Sequence, residues 1–316
     1  LKSELDKALE QAGTRDSRDL ARSIIRSVNT GRVFTSPAQE KSLLSDAVQA
    51  ATPESVAVAF RGNWQSDHRL VLVTGNAPLG DTTLAARDAI RDVYQTSRSV
   101  AVLRPSEAET PRFPYLAPPT AGGVIVRREH FADNGVTRLS FANGVKLNLK
   151  PTDFKEGEVL ATLIFGDGRS AQPLDKPGLA PLAEALINES GLGGLTKDAL
   201  EQALAGETSR VEFSVEDQWF VLRGRTLPAE LDLLFALLYA HLQDPGMRVE
   251  AFGLVMQRFD QAFEALSRSP DGAMELEGSR FLAGGDPRFG LPPREKFQTL
   301  TLADVRTWLM PAFETE

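Results

Sequence analysis

Cysteine is absent from the 316 residues, which removes disulfides, thiolate metal sites and cysteine nucleophiles together. Histidine is scarce: His68, His130 and His241 are the only three. A zinc site takes three protein ligands, usually with two on one helix face. None of the three histidines has a second histidine or a carboxylate at a ligand-pair spacing, although Glu129 adjoins His130. All three are read as structural or solvated, since histidine is at home at intermediate burial. Long apolar runs are also missing, and nothing approaches the roughly 18 residues needed to cross a bilayer, so no membrane span is expected. Positive charge is in deficit: 35 Lys+Arg against 43 Asp+Glu leave a net charge of -8. That balance repels phosphate backbones and argues against nucleic acid as a partner. The serine-nucleophile pattern GxSxG and the phosphate-cradling patterns GxxxxGK[ST] and GxGxxG before a helix do not occur. There is no initiator Met and no secretory signal pattern, so the chain is expected to be a piece of a longer protein.

What remains is an ordinary globular composition, 42% hydrophobic and 25% charged, at a length that predicts two domains. Helical spacing runs through Leu5 and Leu9, then Leu20, Ile24 and Val28. Ser36, Pro37 and Gln39 form a capping-box pattern, and Thr52 with Pro53 repeats the cap-then-proline device. Short apolar runs at Leu70 to Val73 and Val100 to Leu103 predict strands on either side of a helix over 85–94. Prolines 105, 111, 114, 118 and 119 and the pair Gly122-Gly123 then mark a linker over about 104–123. The expected domains are 1–118 and 124–316.

The second part opens on a hairpin pattern, with Leu139 and Phe141, an Asn143-Gly144 turn, then Val145, Leu147 and Leu149. A strand follows at Val159 to Phe165, then helices over 179–188 and 198–204. A second hairpin pairs 211–215 with Trp219 and Val221 across Glu216 and Asp217, carboxylates read as a solvated turn. Helices are expected over 229–243 and 249–267 and after Thr301. This order predicts an α+β fold of two domains, each an antiparallel-rich sheet covered by helices. The Thr52 and Thr301 segments open alike, with a Thr cap, an acidic residue and an apolar helix, which hints at two copies of one unit. The glycine run Gly191, Gly193, Gly194 has no lysine at the P-loop position, and its plain reading is a helix end and turn.

The run LSFANGVKLNLKPTDFKEGEVLATLIFGDG followed by PGLAPLAEAL resembles the opening of a repeat unit in the pitrilysin/insulinase family of zinc metallopeptidases. In that family's catalytic unit the helix after Gly-Leu-Ala carries HxxEH, two zinc-binding histidines around a general-base glutamate. Here Pro181 and Ala185 fall at the histidines and Glu184 at the glutamate. The further family ligand, a downstream glutamate, would fall within Phe252 to Glu264, where Glu264 is the only glutamate. The resemblance therefore implies a chain with no catalytic or metal-binding residues of its own and no cofactor, while zinc is expected on the catalytic unit of a parent protein. Residues 1–118 resemble the later part of a second repeat unit and 124–316 most of a third. The implied role is chamber-forming and peptide-contacting, with partners in the catalytic unit and a peptide substrate; Gly191, Gly193 and Gly194 would touch that substrate. Many bacterial members are exported, which points to a periplasmic parent. The alternative reading is a scaffold or assembly subunit with the same fold and no peptidase activity.

Overall fold

The structure is a computed structural model and describes residues 1–64, 70–74, 79, 82–102 and 111–314. Its contacts divide the chain into two compact units, one made of 1–43 with 111–316 and the other of 44–110.

Among the described residues the α-helices that come first are α1 (Lys2–Glu10), α2 (Ser17–Asn29), α3 (Pro37–Ala50), α4 (Pro53–Trp64) and α5 (Thr83–Ser99). The caps read from sequence form as expected. Gln39 N–H donates to Ser36 Oγ at 3.3 Å, while the Gln39 side chain accepts from Ser36 N–H at 2.9 Å. Thr52 and Ser55 make the same reciprocal pair at 3.1 and 2.9 Å, so each helix start loses two orphan donors. The strand expected over 70–73 is not one: among the described residues it has no strand partner, and Leu70 is 93% exposed. Val100 to Val102 is likewise no strand, and Leu103 lies outside the described residues. A short apolar run supplies the side-chain pattern of a strand, but a strand also needs a ladder partner. Among the described residues neither segment has one. Among the described residues the two sheets both lie between 125 and 226.

The first sheet has the order β1-β2-β3, from β1 (Ile125–Phe131), β2 (Val136–Phe141) and β3 (Lys146–Leu149), all antiparallel. The predicted hairpin is β2–β3, in register Leu139 to Leu147. Its turn closes through Gly144 N–H donating to Phe141 O at 3.0 Å. Strand β1 was not legible from periodicity because Arg127, Arg128, Glu129 and His130 interrupt its apolar residues.

The second sheet has the order β4-β6-β5, from β4 (Val159–Phe165), β5 (Arg210–Val215) and β6 (Phe220–Thr226). Alternate residues of one face, Phe165, Phe213, Val215, Phe220 and Leu222, are buried. They meet helices α6 (Leu179–Ser190), α8 (Leu231–Gln243), α9 (Val249–Ser267) and α12 (Leu302–Glu314) in one core. Short helices α7 (Lys197–Ala203), α10 (Ser279–Leu282) and α11 (Arg294–Gln298) complete the set. The aromatic centre is Phe213, Phe220, Phe165 and Phe313, with Phe165 and Phe313 edge to face at 5.1 Å. On the opposite face of the sheet Leu160, Ile164, Arg223 and Arg225 are exposed, while Val221 is buried, close to the usual division in antiparallel sheets. Two polar contacts fix the loops around this core. Glu156 N–H donates to Thr14 Oγ1 at 2.9 Å, tying the N-terminal segment to the loop before β4. The Glu230 carboxylate accepts from the main-chain N–H groups of Thr208 and Ser209 and from both hydroxyls, at 2.8–3.1 Å. Burial alone would push the Glu230 carboxyl up, but these donors outweigh it and hold it below the usual carboxylate range.

Candidate functional site

Helix α6 is the element on which the family resemblance turns. Gly178 sits at its N-cap in the left-handed region, φ 88°, a conformation that favours glycine. The buried Gln172 side chain accepts from Ala180 N–H at 3.0 Å and donates to Lys176 O at 3.1 Å, closing the helix start. With 3.6 residues per turn, positions 181, 184, 185 and 188 share one face. Pro181, Glu184, Ala185 and Asn188 together line an open pocket of about 340 Å3, flanked by Arg169, Glu275, Ser279, Arg288 and Leu291.

The polar groups on that face are already engaged. Glu184 Oε2 accepts from Val215 N–H at 2.9 Å. Asn188 Oδ1 accepts from Phe213 N–H at 2.9 Å, and Asn188 Nδ2 donates to Phe213 O at 2.8 Å. Phe213 and Val215 belong to β5, an edge strand, so α6 supplies from side chains the hydrogen bonds that a further strand would make. Sequence reasoning missed Asn188; the available signal was its position one turn after Glu184.

The residues on α6 do not fit a zinc ion. Pro181 and Ala185 carry no donor atoms, and the carboxylate between them is committed to β5. Glu264, at the expected downstream position, is paired with Arg268 at 2.8 Å and with Arg294 at 3.4 Å. The histidines lie elsewhere. His130 is on β1 with Nδ1 3.1 Å from Thr137 Oγ1. His241 is buried in α8, its Nδ1 2.7 Å from Leu237 O, and desolvation pushes its imidazole below the usual range in spite of that carbonyl. His68 lies outside the described residues. Among the described residues no group of three His, Cys, Asp or Glu side chains is placed to hold a metal, and no helix is long and apolar enough to cross a membrane.

The glycine run forms a turn that leaves α6 through Gly191, at φ 71°. A Cβ on Gly193 would stand 1.9 Å from Asp244 Oδ1, and one on Gly194 would stand 2.6 Å from the Tyr115 ring. These two glycines are therefore required by what packs on them. Gly193 N–H donates to Asp244 O at 2.8 Å, and Gly194 N–H donates to Asp244 Oδ2 at 2.9 Å. Tyr115 hydroxyl donates to the same oxygen at 2.6 Å. On the other side Arg248 donates to Ser190 O, Leu192 O and Gly193 O at 2.8–3.1 Å. Burial, then the Asp244 carboxylate, push the Tyr115 phenol up to about 12. Tyr115 thus anchors the proline-rich segment 111–118 to the turn after α6, a role that a tyrosine among prolines did not disclose.

No protein-family model matches the chain. Its sequence is 25% identical over 209 residues to the chloroplastic stromal processing peptidase of Arabidopsis thaliana, a match covering 64% of this chain and 16% of that protein. The corresponding enzyme of Pisum sativum is 24% identical over 202 residues, covering 62% of this chain and 16% of the relative. The chain thus spans 16% of the length of these curated relatives. Among solved structures, the periplasmic protease PqqL from Escherichia coli aligns over 99% of this chain and 35% of its own, with a TM-score of 0.54 and 18% identity. A peptidase M16 inactive domain from Pseudomonas fluorescens aligns over 55% of this chain and 42% of its own, with a TM-score of 0.46 and 22% identity. The similarity to the stromal processing peptidases, with the fold shared with PqqL, supports the resemblance of this chain to a non-catalytic portion of the pitrilysin family.

Proposed function

We propose that this chain is a chamber-forming, peptide-contacting portion of a zinc metallopeptidase whose hydrolytic centre lies on another unit. The observation that carries the reading is helix α6, which keeps the family's glutamate but turns its carboxylate to Val215 N–H, between a proline and an alanine. A chamber wall needs shape and rigidity rather than a metal, and α6 clamped to β5 supplies both. In this reading 1–118 is the later part of one repeat unit and 124–316 is most of the next. Contact of the turn at Gly191, Gly193 and Gly194 with peptide belongs to the same reading, and would run through main-chain atoms that Asp244, Arg248 and Tyr115 leave free.

The test uses the parent protein. It should hydrolyse a quenched fluorescent peptide, lose that activity to a zinc chelator, and regain it with added zinc. A photo-crosslinking analogue of the same peptide should label residues of this chain. A parent that cleaves no peptide and has no HxxEH in itself or in a partner subunit would defeat the proposal in favour of a scaffold.

A further inference from the structure

The likeness of the Thr52 and Thr301 segments extends from sequence to structure. Thr301 N–H donates to Asp304 Oδ2 at 2.8 Å and Asp304 N–H to Thr301 Oγ1 at 3.2 Å, the reciprocal cap that Thr52 and Ser55 make at the start of α4. The helices that follow, α4 and α12, are twelve and thirteen residues long. Laid on one another from the two threonines, they place Val56 on Val305, Phe60 on Leu309 and Trp64 on Phe313. Residues four apart share one face of a helix, so both helices carry the same apolar stripe. In α12 that stripe is buried: Val305, Leu309 and Phe313 are at most 3% exposed and belong to the core built on the second sheet. Phe313 meets Phe165 of β4 at 5.1 Å and Phe213 of β5 at 6.0 Å. In α4 the same positions face outward. Val56 is 58%, Phe60 62% and Trp64 63% exposed, and the rings of Phe60 and Trp64 stack 5.8 Å apart.

Large apolar side chains exposed in a row along one helix mark an interaction surface. The repeat shows what fits it, since the matching stripe of α12 packs on the aromatic inner face of an antiparallel sheet. We propose that the face of α4 formed by Val56, Phe60 and Trp64 is the docking surface for a further antiparallel sheet, contributed by another segment of the parent protein. Phe60 and Trp64 are larger than their counterparts Leu309 and Phe313, and cores pack to a fixed density. The incoming sheet therefore carries smaller apolar side chains opposite them than the Phe165 and Phe213 that meet Phe313. A second copy of this chain fits less well, because the inner face of its second sheet is filled by its own α12. The proposal rests on the reading of 1–118 as the later part of a repeat unit, and supplies the surface by which the rest of that unit is held.

The experiment exploits the absence of cysteine from the chain. Phe60→Cys and Leu309→Cys are made singly, in the 316-residue chain and in the parent protein, and maleimide labelling of each thiol is timed by mass spectrometry of the peptide that carries it. In the 316-residue chain the thiol of Phe60→Cys should react as an exposed thiol does. That of Leu309→Cys should react at least about a hundredfold more slowly, because a buried site is reached only when the fold opens. Val305→Cys, a smaller change, gives the same buried reference if Leu309→Cys fails to fold. In the parent the thiol of Phe60→Cys should slow at least about tenfold relative to the 316-residue chain. A photo-crosslinking side chain in place of Val56 should join the parent's α4 to a strand outside these 316 residues. The proposal falls if Phe60→Cys reacts equally fast in both proteins, or if the crosslink lands on a separate subunit. It falls as well if protection appears in the 316-residue chain as its concentration is raised, which would assign the face to a second copy. None of these readouts uses hydrolysis. A parent that cleaves nothing would overturn the peptidase reading and leave the docking result standing, and an active parent with position 60 exposed would do the reverse.

Discussion

The Asn188 side chain and the Phe213 main chain exchange two hydrogen bonds, at 2.8 and 2.9 Å, in the arrangement one strand offers another. Phe213 is fully buried, so removing the amide strands a donor and an acceptor away from water. Asn188→Ala should therefore cost about 2–4 kcal/mol, more than a surface substitution by a wide margin. A urea titration that shifts the midpoint by that amount at unchanged slope is the expected result. A loss below about 0.5 kcal/mol would show that β5 is held by the core alone.

Glu184 makes a contrasting case, because its position in the family is catalytic and its contact here is structural. Glu184→Gln keeps an oxygen to accept from Val215 N–H, so stability should change by less than about 1 kcal/mol. If the proposed function holds, peptide hydrolysis by the parent protein should be unchanged. A general base converted to an amide would instead lower kcat by about a hundredfold or more. Steady-state kinetics of the parent carrying this substitution separate the two.

The parts of this protein that were legible in its sequence are those where local chemistry alone decides the outcome. The Asn143-Gly144 hairpin, the Ser36 and Thr52 caps and the nineteen residues of α9 need no distant partner to be recognised. Pro181 and Ala185 are similar: a residue type without donor atoms excludes a ligand whatever surrounds it. What stayed hidden depends on partners far along the chain. Leu70 to Val73 has a strand's composition and, among the described residues, no neighbour to pair with, whereas β1 has a poor composition and a neighbour in β2. The glycine run was visible, but its cause was not, since Tyr115 and Asp244 lie 79 and 50 residues from Gly194. Asn188 stands one turn after Glu184, but what it bonds to becomes visible only when α6 is laid along β5.

The Gly194–Tyr115 contact predicts a specific coupling. Gly194→Ala would set a methyl 2.6 Å from the Tyr115 ring, forcing the ring and its 111–118 segment outward at a cost of about 1–3 kcal/mol. Tyr115→Ala removes the obstacle together with the bond to Asp244. The double variant should then be more stable than the sum of the two single effects implies. Strict additivity in a double-mutant cycle, measured by urea unfolding, would mean that Tyr115 does not rest on the turn. Amide exchange over 113–117 supplies a second reading, and should quicken in both single variants.

Glu230 predicts how the fold responds to acid. Its carboxyl is held below the usual range in the native state, burial being outweighed by four donors from Thr208 and Ser209. In the unfolded chain the same group titrates near an ordinary glutamate value of about 4.3. The native state therefore binds this proton less readily than the unfolded state does. The stability that the group contributes is complete above the unfolded value and is lost as pH falls through the lower native value. Between neutral pH and about pH 5 Glu230 should add no slope to stability; below that, stability should fall with decreasing pH. Glu230→Gln should lower stability at pH 7 by about 1–3 kcal/mol, since a neutral amide oxygen accepts more weakly from the same donors and its NH2 group meets donors rather than acceptors. The variant should also show a shallower decline in urea midpoint between pH 5 and pH 3. Parallel curves for the two proteins across that interval would mean that Glu230 has the same proton affinity folded and unfolded, and that the Thr208–Ser209 donors do not select its charged form.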